Sequence, residues 1–373
     1  MQKKILFITP DLGRTGSEMV LWYLLNNLDP EHYDIYVFCL RKGALYNKLP
    51  DTLQKRIAYR DSGKWYKKLF RGILKTMGIE PIGYQLKQIH KVFKADLWYT
   101  NTILIPQAAS AAFQLGVKNV THFHEVEFAF SFIKSIEFKN IIEYSDTLIG
   151  CSERSFNTLK MIAPEKTELQ YSFIDEKNII VNKEEVAELR RKFNVLPEDF
   201  VWVISGSLVY MKGLDIILQI MENFKNENVK IIWIGGSLDN GLDSYVKTIA
   251  KNKYIDKLFF EGSVSTGYYN YFGLANGFLM LSKEESFSLV MVEAAYLGLP
   301  IISFNTGIAN KLITSNSGAL INIGDVDGII NAMRKQQVKE KFDNTNLKNG
   351  SLEFTIRNQL PHFEKLIDKI LKN

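Results

Sequence analysis

Two carboxylates, Glu285 and Glu293, stand in an otherwise apolar stretch of the chain, LSKEESFSLVMVEAAYLGLP. Helical periodicity places most of the run from Leu289 to Ala295 against a core, so Glu293 needs either a partner or a cleft that admits solvent. With Glu285 at the helix start, the two carboxylates lie about 12 Å apart along the helix axis. That separation excludes a shared proton or metal ion. It favours an elongated ligand held at both ends, with its negative middle on the backbone N–H groups of the helix start.

Strand and helix patterns that position this stretch alternate twice along the chain. The first series opens with an apolar strand at residues 5–9, and the second opens with a strand at Phe200. This alternation predicts an α/β protein with two doubly wound, Rossmann-like domains that face each other across a cleft, with the site at the carboxyl ends of the strands. The predicted domains are residues 1–172 and 173–350, followed by a final helix at 351–373 that packs on the N-terminal domain.

Composition narrows the class of protein. Hydrophobic residues make up 46% of the 373 positions and charged residues 23%, as in a soluble globular protein. Cys39 and Cys151 are the only cysteines, which excludes a disulfide framework and indicates a reducing compartment. The N-terminal apolar run of six residues is too short for a signal peptide and predicts a first strand. No stretch approaches the roughly 18 apolar residues of a membrane span.

Glycines and histidines mark two further loops. Gly13 and Gly16 lie between the first strand and its helix, where they favour either a bound anion or a plain tight turn. His122 and His124 share one face of a strand, and His124 stands at its carboxyl end. A metal pair lacks a third ligand at a recognisable spacing, so we predict no metal site. A hydrogen-bonded structural histidine is the alternative to a ligand-binding one.

A basic segment with interleaved aromatic residues runs from Lys64 to Lys75. Trp65, Tyr66 and Phe70 alternate with lysines and Arg71 at helical spacing, which is typical of a helix that lies on an anionic membrane surface. A solvated basic face over an ordinary core contact is the other interpretation. No base-reading motif accompanies the segment, so we predict no nucleic-acid partner.

Several stretches together resemble the retaining glycosyltransferases of the GT-B fold, in particular the group with an E-x7-E motif, glycosyltransferase family 4. Seven residues separate Glu285 from Glu293, and EESFSLVMVEAAYLGLPIISFNTG is similar to that family's E-G-F-G-L-V-x-x-E-A-x-A-x-G-x-P-V block. SGSLVYMKGLDIIL resembles its G-R-L-x-x-x-K-G stretch, which matches Lys212 to the phosphate-binding lysine. THFHEVE is similar to the strand-end histidine segment, LGRTGSE to the glycine loop, and ALINIGDVDGI to the block that follows the E-x7-E motif.

The resemblance implies transfer of a sugar, of the hexosyl type, from a nucleotide-diphosphate donor to an acceptor with retention of the anomeric configuration. It implies that Glu293 binds the ribose hydroxyls and that the N–H groups of residues 287–289 hold the diphosphate. The implied catalytic residues are Glu285 near the reacting centre, Lys212 on the leaving diphosphate, and His124 on the sugar side. The implied donor-binding positions are Gly16, Ser207, Lys212, Gly262, Glu285, Ser286, Phe287, Ser288, Leu289 and Glu293.

The resemblance also implies the partners. The nucleotide sugar is a co-substrate of the C-terminal domain, and the N-terminal domain takes a glycan, a lipid-linked molecule or another surface-polysaccharide acceptor. No cofactor and no metal ion are expected, and the leaving phosphate takes the acceptor proton, so no general base is assigned. We expect a cytoplasmic protein, peripheral on the inner face of the cell membrane through Lys64–Lys75.

Two departures from the family pattern concern the phosphates and the sugar. Ser207 stands where the family has an arginine, so a second cationic phosphate contact is absent or comes from elsewhere, for example from Arg14. Ser286 and Ser288 replace the two glycines of the G-F-G triplet, which keeps the backbone donors and adds two hydroxyls. Asn310 stands where acidic or small residues are common.

Other functions fit parts of this pattern. Nucleotide-sugar 2-epimerases share the fold but lack the E-x7-E block with this tail. A non-catalytic GT-B subunit that binds and stabilises a partner glycosyltransferase is the alternative that Ser207 supports. An NAD-dependent oxidoreductase is disfavoured, because neither first strand is followed by G-x-G-x-x-G.

Overall fold

A computed structural model of the protein describes residues 2–338 and 344–372. The chain divides into two compact units, the first formed by Met1–Phe173 with Ile356–Asn373 and the second by Ile174–Thr355. Each unit is built on one wholly parallel sheet with helices between its strands. The two sheets confirm the predicted α/β architecture of two Rossmann-like domains.

The first unit contains a seven-stranded sheet in the order β3-β2-β1-β4-β5-β6-β7. Its strands are β1 Lys3–Thr9, β2 Tyr33–Cys39, β3 Gln54–Ile57, β4 Leu97–Thr100, β5 Lys118–Phe123, β6 Thr147–Gly150 and β7 Thr167–Leu169. Its first six helices are α1 Gly16–Asn27, α2 Trp65–Thr76, α3 Pro81–Phe93, α4 Pro106–Leu115, α5 Ser135–Tyr144 and α6 Glu153–Ile162. Strands β1 and β4 are buried along nearly their whole length, because helices cover both faces of a parallel sheet.

The second unit contains a six-stranded sheet in the order β10-β9-β8-β11-β12-β13. Its strands are β8 Phe200–Ser205, β9 Val229–Ile234, β10 Leu258–Gly262, β11 Gly277–Met280, β12 Ile301–Phe304 and β13 Gly318–Ile321. Its helices are α7 Lys183–Lys192, α8 Ile217–Asn223, α9 Gly241–Lys253, α10 Tyr268–Leu274, α11 Leu289–Tyr296, α12 Ala309–Leu312, α13 Val326–Gln337 and α14 Thr345–Leu352. Trp202 and Trp233 are fully buried in the core of this unit.

The last helix, α15, runs over Ile356–Lys372 and packs within the first unit. The ring of its Phe363 lies 5.6 Å from that of Tyr99 in β4. Lys369 Nζ lies 2.6 Å from a carboxylate oxygen of Glu168 in β7. The predicted boundary of 351 for this helix is therefore five residues early, and helix α14 lies just before α15. Residues 339–343, which precede α14, lie outside the described residues.

Short elements account for the other differences from the prediction. Strands β3, β7 and β13 were not predicted, because each has only three or four residues, most of them partly exposed. Helix α8 begins at Ile217, after a turn in which Gly213 adopts φ +83°. A side chain at Gly213 would lie 2.6 Å from Leu281 Cβ, so only glycine lets this turn pack on the end of β11.

Candidate active site

Both sheets have a topological switch point, where consecutive strands leave in opposite directions. In the second unit β8 lies between β9 and β11, and in the first unit β1 lies between β2 and β4. Ligands of open α/β sheets bind at this point, beyond the carboxyl ends of the strands. Ser207 follows β8 and Glu285 follows β11, whereas Gly16 follows β1. These three predicted site residues therefore follow switch-point strands, two in the second unit and one in the first.

Lys212 and Glu285 contact each other in the second unit. Lys212 ends a short 3₁₀ turn after β8, and its Nζ donates to Oε1 of Glu285. The Lys212 stem lies over Gly206, about 3.5 Å from where a Cβ on that residue would be. The backbone N–H of Glu285 donates to Oγ1 of Thr306 at 2.8 Å, which fixes the loop. The fold thus brings together two of the three residues predicted to be catalytic.

Helix α11 begins at Leu289, so Glu285 lies in the loop four residues before it. The assumption that Glu285 stands at the helix start was wrong, and the 12 Å axial separation derived from it does not apply. Ser288 is the N-cap residue, but its hydroxyl donates towards Sδ of Met280 at 3.8 Å and makes no capping hydrogen bond. The first turn of α11 is therefore uncapped by its own N-cap side chain, as an anion site at a helix start requires.

The triplet from Ser286 to Ser288 has a backbone that explains the glycines of the family pattern. Ser288 adopts φ +89°, a left-handed conformation that glycine occupies with less strain. Phe287 is buried, with its ring 5.4 Å from that of Phe354, and its carbonyl accepts from Ile308 N at 3.0 Å. The triplet is thus held by its aromatic side chain.

Glu293 lies on α11 and is only 6% exposed. Its carboxylate accepts from the hydroxyl of Tyr269 at 3.0 Å and from that of Tyr268 at 3.3 Å. Burial raises the pKa of Glu293 to about 7, although both tyrosine hydrogen bonds favour the charged form. The Tyr268 hydroxyl also lies 2.7 Å from Oγ of Ser205, at the end of β8. The partner that the sequence argument required is therefore this tyrosine pair.

Sequence reasoning missed Tyr268 and Tyr269, which open helix α10. The signal was the aromatic run YYNYF, which follows a glycine with φ +69° at position 267. The two remaining predicted positions of the second unit, Gly262 and Ser207, lie at or just after the carboxyl ends of strands. Gly262 ends β10 with φ +72°, and Ser207 lies one residue after Gly206 in the loop that follows β8.

His124 and Gly16 belong to the first unit and not to this group. His124 follows β5 directly, and its Nε2 lies 2.9 Å from Oδ1 of Asn101, which follows β4. The His124 ring lies 3.8 Å from that of His122, and Nδ1 of His122 lies 2.7 Å from the Tyr99 hydroxyl. Burial lowers the pKa of His124 to about 3, so the ring is neutral at physiological pH.

Two carboxylates lie close together at the start of α1, Asp11 in the preceding loop and Glu18 in the first turn of the helix. Oε2 of Glu18 accepts from the backbone N–H of Thr15 at 2.9 Å in a capping box, and Gly16 is the first residue of the helix. Burial and the neighbouring carboxylate of Asp11 raise the pKa of Glu18. A Cβ at Gly13 would lie 2.5 Å from Oε2 of Glu18, so a larger residue there would displace the Glu18 carboxylate.

The chain is similar to a known protein family and to solved structures. Residues 185–349 match the family model of glycosyl transferases group 1, and they lie within the second unit. The chain aligns over 99% of its length with the structure of HepE from Anabaena in complex with UDP and glucose, at 18% identity and a TM-score of 0.82. It aligns over its whole length with sucrose-phosphate synthase from Thermosynechococcus elongatus, at 18% identity and a TM-score of 0.77. The fold is GT-B.

Sequence relatives each match about half of the chain. The chain is 25% identical over 193 residues to N-acetyl-alpha-D-glucosaminyl L-malate synthase of Bacillus anthracis, which covers 50% of this chain and 49% of that protein. It is 24% identical over 199 residues to the O-antigen biosynthesis glycosyltransferase WclY of Escherichia coli, 51% of this chain and 53% of WclY. The chain therefore spans about half the length of these relatives.

Two further observations concern ligands and membranes. Within residues 2–338 and 344–372, no three histidine, cysteine, aspartate or glutamate side chains are grouped as ligands of a metal ion. No helix in the same part of this GT-B chain is long and apolar enough to cross a bilayer.

Proposed function

We propose that the protein is a retaining glycosyltransferase that moves a sugar from a nucleotide-diphosphate sugar to a glycan, a lipid-linked molecule or another surface-polysaccharide acceptor. The observation that carries the proposal is the contact between Lys212 and Glu285 beside the uncapped start of α11. It joins a cation, a carboxylate and a helix N-terminus, which are the groups that a diphosphate and a sugar need. The match to glycosyl transferases group 1 over residues 185–349 supports it.

Each residue has a role in this proposal. Lys212 and the N–H groups of residues 287–289 stabilise the diphosphate as it leaves, and Glu285 accepts from hydroxyls of the donor sugar. Glu293 accepts from the ribose hydroxyls, and Tyr268 and Tyr269 hold its carboxylate. When the donor binds, the contact between Lys212 and Glu285 is broken. Lys212 then contacts the diphosphate, and Glu285 contacts the sugar hydroxyls. His124 acts on the sugar side, and no metal ion or cofactor takes part.

The test is donor turnover by the purified protein. With a panel of α-linked nucleotide-diphosphate sugars that includes the UDP-sugars, we expect one donor to release its nucleoside diphosphate, slow hydrolysis without acceptor, and an α-anomer as the first sugar product in proton NMR spectra. A β-anomer as first product would overturn retention. Absence of both turnover and thermal stabilisation by every nucleotide in the panel would contradict the enzyme assignment.

The alternative function is a non-catalytic subunit that stabilises a partner glycosyltransferase. Ser207, which is neutral where the family pattern has arginine, is the observation that favours it. Whether or not such a subunit binds a nucleotide, it shows no turnover alone. The complex that it forms with its partner does show turnover. The panel assay therefore separates the two functions.

We also propose that α2 places the protein on an anionic membrane that carries the acceptor. One helix is enough to connect the parallel strands β3 and β4, and α3 makes this connection. Helix α2 is therefore additional to the connection. Phe70 anchors α2 against Tyr59 and Tyr84, with ring distances of 5.9 and 6.0 Å, and Leu74 is buried. Trp65, 75% exposed, and Leu69, 58% exposed, lie on the open part of the apolar face.

Charge complements this exposed face. The basic residues of the segment form one stripe and no acidic residue occurs between positions 64 and 77; the stripe comprises Lys64, Lys67, Lys68, Arg71 and Lys75. A helix with exposed aromatic and aliphatic side chains beside such a stripe binds at the headgroup boundary of anionic lipids. Two sequence relatives are, by name, synthases of glycosylated diacylglycerols. One is alpha-galactosylglucosyldiacylglycerol synthase of Streptococcus pneumoniae, to which the chain is 29% identical over 139 residues.

We expect charge reversal on α2 to weaken binding to anionic vesicles by at least about a hundredfold, since each basic residue near the surface contributes roughly 1 kcal/mol. The variant is Lys67→Glu/Lys68→Glu/Arg71→Glu, and co-sedimentation with vesicles of phosphatidylglycerol and phosphatidylcholine measures binding. The matched control is Arg191→Glu/Lys251→Glu/Lys253→Glu, which reverses three exposed charges on α7 and α9. Equal loss in both triples, or binding insensitive to salt, would contradict the role of α2.

A further inference from the structure

Asn101 is a buried side chain that joins three strand-end segments of the first unit. It follows β4 and is 1% exposed. Its backbone N–H donates to the carbonyl of Ile8 in β1 at 2.8 Å, and its Nδ2 donates to the carbonyl of Ser17 in α1 at 3.0 Å. Its Oδ1 lies 2.9 Å from Nε2 of His124, which follows β5. One residue thus links β1 through its backbone, and the start of α1 and His124 through its side-chain amide.

These contacts determine the tautomer of His124. The carbonyl of Ser17 can only accept, so the amide nitrogen of Asn101 must face it and the amide oxygen must face His124. An amide oxygen can only accept, so Nε2 of His124 carries the proton and Nδ1 carries the lone pair. The orientation of Asn101 therefore follows from its neighbours, and that of His124 follows from Asn101.

We propose that Asn101 is the positioning residue that holds His124 as a neutral ring with its proton on Nε2 and ties it to the start of α1. The inference rests on the proposed function, in which His124 acts on the sugar side of the reaction. A neutral ring in this tautomer has one donor, the Nε2–H that is held by Asn101, and one acceptor, Nδ1, so its hydrogen-bonding pattern towards a sugar hydroxyl is fixed. A charged or rotated ring presents a different pattern, so the contact of Asn101 affects specificity without touching the substrate.

The surroundings of His124 favour the neutral ring. The ring of His122 lies 3.8 Å from that of His124 and is tilted by 43° to it, and the pKa of His122 is itself lowered well below its usual range by burial and by His124. Glu125 is the next residue in the chain; its Oε2 accepts from the His124 backbone N–H at 3.0 Å, and its Oε1 accepts from Thr102. Burial raises the pKa of Glu125. Asn101 contributes an uncharged acceptor among these groups.

The experiment compares Asn101→Asp with the unmodified protein. Asparagine and aspartate have nearly the same shape, but a carboxylate beside Nε2 favours the imidazolium and loses the donor to Ser17. Nitrogen-15 NMR of the histidine rings, assigned with His122→Gln and His124→Gln, should show His124 with the proton on Nε2 and no titration between pH 5 and 8. In Asn101→Asp we expect the pKa of His124 to rise by more than one unit and kcat to acquire a matching pH dependence.

Two further variants complete the experiment, Asn101→Ala and a control at the amino end of β5. In Asn101→Ala we expect kcat to fall about tenfold, with UDP affinity within twofold of the original, since the nucleotide contacts are proposed in the second unit. Asn119 is the matched control, because it is also buried and its Nδ2 donates to the Tyr144 carbonyl at 2.8 Å at the amino end of β5. Asn119→Ala should leave the His124 resonances and the pH profile unchanged.

The outcomes separate the inference from the proposed function. A proton on Nδ1 of His124 in the unmodified protein would overturn the inference without any variant having to fold. An unshifted His124 pKa in Asn101→Asp, or an equal shift in Asn119→Ala, would overturn it as well. Expected NMR results with no turnover of any donor would leave Asn101 as the positioning residue of His124 and overturn only the enzyme assignment.

Discussion

Replacing Glu285 by alanine should lower the rate of sugar transfer by about a hundredfold or more, because groups aimed at the reacting centre typically contribute ~10²–10³ in kcat. Two effects add. The variant removes the acceptor for donor-sugar hydroxyls, and it removes the partner that positions Lys212. We expect UDP affinity to stay within about threefold, since Lys212 and α11 remain. Donor turnover followed by UDP release, with calorimetric titration of UDP, measures both quantities.

Neighbouring variants make this result specific. Glu284→Ala removes the adjacent carboxylate and should keep most of the activity, and Glu285→Gln should fall between the two because it keeps the shape and one acceptor. Lys212→Met should also be strongly impaired. The double variant of Lys212 and Glu285 should lose less than the product of the single losses, because the two side chains are in contact. Undiminished turnover in Glu285→Ala would refute the assignment of this residue.

The affinity for UDP should fall by about tenfold between pH 8 and pH 6 through the protonation of Glu293. Its pKa is raised to about 7 in the protein without ligand, mainly by burial. Ribose hydroxyls donate to the carboxylate, so they bind the charged form. The charged fraction is nearly complete above pH 8 and is lost as pH falls through about 7. Binding is therefore tighter on the alkaline side, and it releases a proton at neutral pH.

Two variants isolate this dependence. The phosphates of UDP titrate in the same range, so the comparison is with Glu293→Gln, which cannot ionise and should keep only the ligand's own pH dependence. Tyr269→Phe removes one of the hydrogen bonds that favour the charged carboxylate. The pKa of Glu293 should then rise further, and the loss of affinity should begin at higher pH. Identical pH profiles for the original protein and Glu293→Gln would contradict a ribose contact by Glu293.

The strands that carry the site were predictable because parallel strands are buried on both faces. Runs such as FVWVIS and KIIWI are apolar regardless of face, and they correspond to β8 and β9. The position of His124 after β5 followed from the same signal. Edge strands such as β3 and β13 escaped prediction, since half-exposed segments of four residues have no distinctive composition.

Contacts between distant residues were not predictable from pattern. Lys212 and Glu285 are 73 positions apart, and only the adjacency of β8 and β11 brings them together. The start of α11 at Leu289 depends on the left-handed backbone of Ser288, a conformation that serine does not signal. The partners of Glu293 were missed for the same reason, because Tyr268 and Tyr269 reach it from another helix.

The sequence by itself determined the two αβ series, the apolar helix with a carboxylate that requires partners, and the lysine after the first strand of the second series. These follow from local periodicity and from the free energy of burying a charge, which any stretch of chain carries within itself. Tertiary structure alone decided which groups face that carboxylate, which cation meets Glu285, and which tautomer His124 adopts. Each of these depends on strand order, because neighbouring strands in a parallel sheet bring together loops that lie far apart in the chain.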